Sequence, residues 1–257
     1  MAQGARGRIE IFEDFLAGED IVANTAASRT FGGSGFRVIG QGIAETDSGV
    51  TVLETAGLNG VGVLTTTDED AHSCGLTTAK VFDVGLMGTL VAECRVQFGD
   101  LDTKAFYFGF TDANDDTGIL EGVQLVAAGA SLTLTASDLC GFLIDAEATD
   151  DEDWIMVYNG GTTTGETTIA SIDADADPVD GAAGTREWQI LRLEIGANGT
   201  ARWYIDGVLK QTVTGAVSTS TDLALMAMIE SRVGSEIQVA YLDYIYVSAN
   251  RNWTVTS

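Results

Sequence analysis

Basic residues are scarce in this chain. Thirteen Lys and Arg stand against 38 Asp and Glu over 257 residues, a formal net charge of -25. Each phosphate contact would have to overcome that global repulsion, which argues against nucleic acid and anionic membrane surfaces as partners and leaves basic proteins, cations and neutral glycans. His72 is the only histidine, so multi-histidine metal sites are excluded and a Ser/His/Asp triad would rest on one residue in a polar loop. The three cysteines, Cys74, Cys94 and Cys140, show no CxxC spacing and define neither a disulfide framework nor a zinc site. Cys94 shares strand parity with Leu90, Ala92, Val96 and Phe98, which reads as a small buried apolar side chain. No apolar run approaches the ~20 residues of a membrane span. The N-terminal MAQGARGRIEIFEDF lacks the apolar core of a secretory signal, so export by the general pathway is not expected. Proline occurs once, as Pro178, and helical periodicity is absent almost everywhere.

What is present is alternation. The stretch from Trp188 to Val213 carries three alternating apolar runs separated by Asn198-Gly199 and Asp206-Gly207, dipeptides that accept positive φ cheaply and close hairpins. It predicts a three-strand antiparallel meander with Leu191, Leu193, Ile195, Trp203 and Ile205 in the core. Short β runs recur before it: IEIFEDF with Ile9 and Ile11 on one face, GVTVLET, GVGVLTT, LVAECRVQF, AFYFGFTD, SLTLTAS, CGFLIDA and DWIMVYNGG. The hairpin-length connection from Gly99 to Lys104 predicts that LVAECRVQF and AFYFGFTD are sheet neighbours. LALMAMIES reads as a strand, and IQVAYLDYIYVSA as a long one with Val239, Tyr241, Asp243, Ile245 and Val247 on one face. Thr162 to Thr185 is the most loop-like region. The fold class expected is all-β, two antiparallel sheets in a jelly-roll sandwich. The expected organisation is a flexible arm over residues 1–8, one sandwich domain over 9–249 and a tail over 250–257.

The run from Trp188 through Asn198-Gly199 and Trp203-Tyr204 to Asp206-Gly207 resembles the concanavalin A-like lectin/glucanase sandwich, laminin G-like domains included. FEDF and YLDYIYV resemble the paired first and last strands that close such jelly rolls, so the resemblance spans most of residues 9 to 249. It implies the fold and no particular activity, since the fold hosts lectins, hydrolases and structural modules alike. The whole chain is also similar in style to small virion proteins of tailed bacteriophages. That resemblance implies a non-enzymatic protein on the capsid exterior, assembled in the host cytoplasm, that decorates or cements the shell by binding the major capsid protein, often as a trimer.

Candidate chemistry is sparse. The family's glucanases carry E-x-D-x-x-E on a strand, holding two carboxylates at a retaining separation of about 5–5.5 Å. The nearest sequence here, Asp145, Glu147 and Asp150 in DAEATD, has the residue types interchanged and reads as a solvated loop. Oxygen ligands at alternate positions occur in Asp112, Asn114 and Asp116, and in Asp173, Asp175 and Asp177. That spacing admits Ca²⁺ as the one metal to consider, while Asx-rich turns account for it without a metal. Otherwise no cofactor is expected. A glycan site would use aromatic platforms, for which Trp154 and Tyr204 are the candidates, with Tyr107 and Trp203 also available. Partner binding is assigned to Arg6 and Arg8 on the basic-tipped arm and to Trp253 in the tail.

Overall fold

The computed structural model describes residues 7–16, 35–41, 48–52, 60–114, 120–121, 125–149, 153–174, 176 and 188–251. In chain order the strands are β1 (Arg8–Glu13), β2 (Arg37–Ile39), β3 (Gly49–Val52), β4 (Gly62–Thr65), β5 (Ser73–Thr77), β6 (Phe82–Asp83), β7 (Leu90–Phe98), β8 (Lys104–Thr111), β9 (Leu125–Ala128), β10 (Ser131–Leu134), β11 (Leu139–Asp145), β12 (Ile155–Asn159), β13 (Gln189–Ile195), β14 (Ala201–Ile205), β15 (Val208–Val213), β16 (Asp222–Ser231) and β17 (Val239–Asn250). A single helical turn, α1 (Val84–Met87), is capped by the Asp83 carboxylate, which accepts from the Leu86 amide.

Two large antiparallel sheets are stacked. The first runs β15-β14-β13-β7-β17-β4-β3, with β1 also on β17; the second runs β12-β11-β8-β16-β5-β2, with β6 on β16. β1 and β17 pair from Arg8↔Asn250 to Glu13↔Ile245, so the first and last strands close the sheet as expected. The predicted meander is β13-β14-β15, turning through Gly199 and through Asp206-Gly207, all at positive φ. Leu191, Leu193, Ile195, Trp203 and Ile205 are buried as its core face.

Two expectations fail. β7 and β8 are not sheet neighbours: β7 belongs to the first sheet and β8 to the second. Residues 99–103 form a corner, with Thr103 at φ 62, and Phe98 meets Phe106 across the core at 5.2 Å between ring centroids. Nor do the five β17 residues share a face. The register against β7 shifts between Leu242 and Tyr244, a bulge that inverts parity. Tyr241 and Asp243 therefore stay half-buried while Ile245 and Val247 are fully buried.

The sheets differ in what lies outside them. The first is wet on one side: β13 and β14 alternate strictly between buried and half-buried residues. In the second, β8 and β11 are buried at every position. Phe106, Phe110 and Phe142 point at the first sheet's side, where they meet Phe98, Phe82 and Trp154. Their neighbours on opposite parity, Tyr107, Leu143, Met226 and Met228, face away from the first sheet yet have no exposure either.

A third layer covers them. β9 and β10 form a hairpin whose Leu125, Ala127 and Leu132 join the core cluster, along with Leu120, Ile169 and Ile172. The hairpin is fastened on one side to the end of β11, through Gly129 N–H to Glu147 O and Thr149 N–H to Gly129 O. On the other it is fastened by Leu132 N–H to Thr167 O and Ile169 N–H to Ala130 O. Residues 172–174 and 176 then lie along the edge of β12, with Met156 N–H bonded to Ile172 O and Trp154 N–H to Ala176 O. The described part of the loop-like Thr162 to Thr185 region thus works as a roof. Pro178 lies outside the described residues.

Candidate functional site

Among the described residues, the outward face of the first sheet alternates between buried and half-buried positions and presents its polar side chains outward. Registers place its residues in rows across the strands. One row runs Phe12, Tyr246, Glu93, Arg192, Tyr204, Leu209 over β1, β17, β7, β13, β14 and β15. The next row toward the β1 start is Glu10, Ser248, Val91, Glu194, Arg202, Thr212; on the other side lie Tyr244, Arg95 and Ile190. In the first of these rows aromatic and aliphatic side chains occupy both margins and an ion pair holds the middle.

Those ions pair among themselves. Arg192 reaches Glu93 at 3.0 Å and Glu194 at 2.8 Å, Arg95 reaches Asp243 at 2.9 Å, and Arg8 approaches Glu10 at 3.7 Å. Partial burial acts to lower the Arg192 pKa, but the carboxylates of Glu194 and Glu93 outweigh it and hold it above its ordinary value. Tyr244 donates to Glu93 at 2.8 Å, and burial together with that carboxylate pushes its phenol well up. The Arg95 guanidinium sits 5.1 Å over the Trp188 ring. Four arginines and four carboxylates (Glu10, Glu93, Glu194, Asp243) thus leave this face neutral in a chain of net charge -25.

Several expected site residues land elsewhere. Trp154 is fully buried among Phe98, Phe106 and Phe142, and its indole N–H donates to Gln189 at 3.0 Å, so it offers no face to a glycan. Tyr107 and Trp203 are likewise buried. Tyr204 is half-buried on the open face, and Arg8 joins that face too, donating to Ser248 Oγ at 2.9 Å. Arg6, Asp116, Asp150, Asp175, Asp177 and Trp253 lie outside the described residues.

Around Asp112 and Asn114 the described contacts involve backbone oxygens and the Asn114 side-chain amide. The Asp112 carbonyl accepts from Lys80 at 3.1 Å, the Asn114 carbonyl from Arg37 at 2.7 Å, and the Asn114 amide donates to the Thr78 carbonyl. Two cations therefore hold backbone oxygens of this loop. Among the described residues no group of three or more His, Cys, Asp or Glu could hold a metal ion.

The DAEATD segment is not a solvated loop throughout. Asp145, the last residue of β11, is buried and receives Arg232 Nε at 3.1 Å and Nη2 on its other oxygen. Arg232 Nη1 also reaches Glu230 at 2.6 Å and Glu121 at 3.2 Å. Glu230 accepts the backbone amides of Leu120 and Glu121, which ties that segment to the end of β16. Burial pushes the Glu230 carboxyl up to about 7 against the opposing pull of Arg232. A cleft of about 430 Å³ opens beside this cluster, between Asp102, Thr103, Glu147 and Arg232. The sequence signal for the cluster was Glu230 and Arg232 flanking the end of an apolar strand; nothing local points to Asp145 as their partner.

No protein-family model matches the chain, and no curated protein matches it. Solved structures do. The cellulose-induced protein Cip1 superposes with a TM-score of 0.55 at 13% identity, over 94% of this chain and 98% of its own. The β-glucanase of Bacillus licheniformis gives 0.52 at 14% identity, over 94% and 98%. A protein of unknown function from Shewanella oneidensis gives 0.54 at 11%, over 97% and 90%. At these identities the likeness concerns the fold, and the fold is the concanavalin A-like jelly-roll sandwich.

Proposed function

We propose that the chain is a non-enzymatic structural protein that decorates or cements a bacteriophage capsid by binding coat subunits. The observation that supports this reading is the roof. The second sheet's outer face, where a sandwich of this kind could hold a cleft, carries Tyr107, Leu143, Met226 and Met228 and is closed by the β9-β10 hairpin. Among the described residues that face has no exposed side chain at those four positions, and the outward face of the first sheet is ion-paired and aromatic, a composition that supports a macromolecular surface. The glucanase among the fold's members lends no activity to this chain, because the fold alone is shared.

Copy number in purified virions tests the reading. Near-stoichiometry with the major capsid protein is the expected result; a few copies per particle would indicate a fibre, and absence would overturn the proposal. The arm is tested separately, by deleting residues 1–6 only, because β1 begins at Arg8 and its ladder to β17 must stay whole. The truncated protein should melt as the full chain does yet occupy capsids with affinity reduced about ten-fold or more, the equivalent of ~1.4 kcal/mol of contact. Unchanged occupancy would remove the arm from the account.

A second reading has one observation in its favour: Trp188, Tyr204 and Tyr241 are half-buried on the open face, a disposition that suits stacking on a neutral sugar. Saturable binding to a glycan array, lost on Tyr204→Ala, would favour it over capsid decoration.

A further inference from the structure

We propose that the outward face of the first sheet pairs with the same face of a second copy of this chain, through a two-fold axis running along the strands between β7 and β13. The registers carry the argument. That axis divides the six-strand row into Phe12, Tyr246 and Glu93 on one side and Arg192, Tyr204 and Leu209 on the other. A rotation about it lays Phe12 over the second copy's Leu209, Tyr246 over its Tyr204 and Glu93 over its Arg192. Each half of the row meets the chemistry it needs: apolar on apolar, ring on ring, carboxylate on guanidinium. An isologous interface demands this kind of self-complementarity, each contact occurring twice.

Charge and area agree with that occupant. Two chains of net charge -25 repel over most of their surfaces, but this face is neutral, with Arg8, Arg95, Arg192 and Arg202 matching Glu10, Glu93, Glu194 and Asp243. A cationic partner would be drawn to the acidic remainder instead. Six strands at ~4.8 Å spacing and rows ~6.8 Å apart give a face on the order of 700–800 Å² with its side-chain margins, close to the ~800 Å² per partner of a standard interface. The two apolar ends of the row are open in the free chain, Phe12 at 55% and Leu209 at 49% exposure. The pairing covers the same face that the capsid reading offers to a macromolecule, leaving the N-terminal arm to reach coat subunits, and it is tested on the isolated chain, so its failure and that of the capsid reading are distinguishable.

Sedimentation velocity on the full chain tests it. At about 50 µM the wild type should sediment with twice the monomer mass, as expected of micromolar affinity. Leu209→Glu and Phe12→Lys, both at exposed positions, should each weaken association about ten-fold or more while melting as the wild type does. Val81→Glu, at a position 43% exposed beside the second sheet, should leave it intact. An equimolar mixture of the Leu209→Glu and Phe12→Lys proteins should regain the dimer, because in the mixed pair one end places Glu against Lys and the other keeps Phe against Leu. A wild type that stays monomeric at about 100 µM, a trimeric mass, a dimer indifferent to both substitutions, or a mixture that stays apart would each overturn the proposal.

Discussion

Arg232→Met should cost about 3–5 kcal/mol of stability near pH 8, the usual consequence of leaving buried charges without their partner. Among the described residues Arg232 is the only cation bonded to both Asp145 and Glu230, and all three are buried. The loss would spread into the roof, since the same Glu230 carboxylate holds the backbone amides of Leu120 and Glu121. Acid should narrow it. Glu230 takes up its proton at about 7 in the folded wild type, against 4.5 ordinarily. Its folded pKa lies above its unfolded one, so its contribution to stability is fully present below about 4.5 and is lost as pH rises to about 7. Without Arg232 the carboxyl binds its proton more readily still, so lowering the pH neutralises a charge that the variant cannot pair. Denaturant melts of both proteins at pH 8 and pH 5.5 measure this. A gap between them that does not shrink at the lower pH would refute the assignment of the cluster as a buried ion group centred on Arg232.

Trp154→Ala should cost a comparable ~3–5 kcal/mol. The ring touches Phe98 of the first sheet and Phe106 and Phe142 of the second, with centroids 6.0 to 6.2 Å away, so it binds the two sheets to each other. Its indole N–H is held by Gln189, which β13 directs inward beside Val96. Tyr204→Ala, on the wet side of the same sandwich, should cost less than about 1 kcal/mol. Its hydroxyl has only a 3.5 Å approach to Glu194. Urea midpoints at matched slopes separate the two. Equal losses would mean that the packing described for Trp154 is wrong.

The contrast between those tryptophan and tyrosine positions marks how far the sequence could be read. The first sheet was legible because water touches one side of it. In ILRLEI and LVAECRVQF every charged residue falls on one parity, shared with only Ile190 and Val91 among the apolar ones, and the turn dipeptides fixed the meander. The second sheet was legible as strands only. AFYFGFT, LCGFLID and DLALMAMIES are apolar on both parities, which announces burial on both faces but not what covers the outer one. The roof is assembled from β9, β10 and the described residues of 163–174; SLTLTAS was legible as a strand, but nothing in it says that it lies over the second sheet, and 163–174 reads as loop.

Two errors have local causes. A five-residue connection serves a hairpin and a sheet-to-sheet corner equally well, so the length after Phe98 could not distinguish them. The β17 bulge inserts one residue and inverts parity beyond it, which no alternation rule anticipates. Asp145 escaped for a different reason: its partner Arg232 is 87 residues away, and only folding brings them together. For the same reason Trp154 and Tyr204 looked equivalent as aromatic platforms, although one lies between the sheets and the other outside them.

Methionine oxidation tests the central structural claim most directly, namely that the outer face of the second sheet is closed. Met226 and Met228 lie beneath the roof with no exposure, whereas Met87 in α1 is half-buried and serves as the internal control. In dilute hydrogen peroxide under native conditions, mass spectrometry should find Met87 converted to sulfoxide while Met226 and Met228 stay intact until denaturant unfolds the chain. Oxidation of Met226 and Met228 at the rate of Met87 in the native protein would mean that the face is open, and would contradict the account.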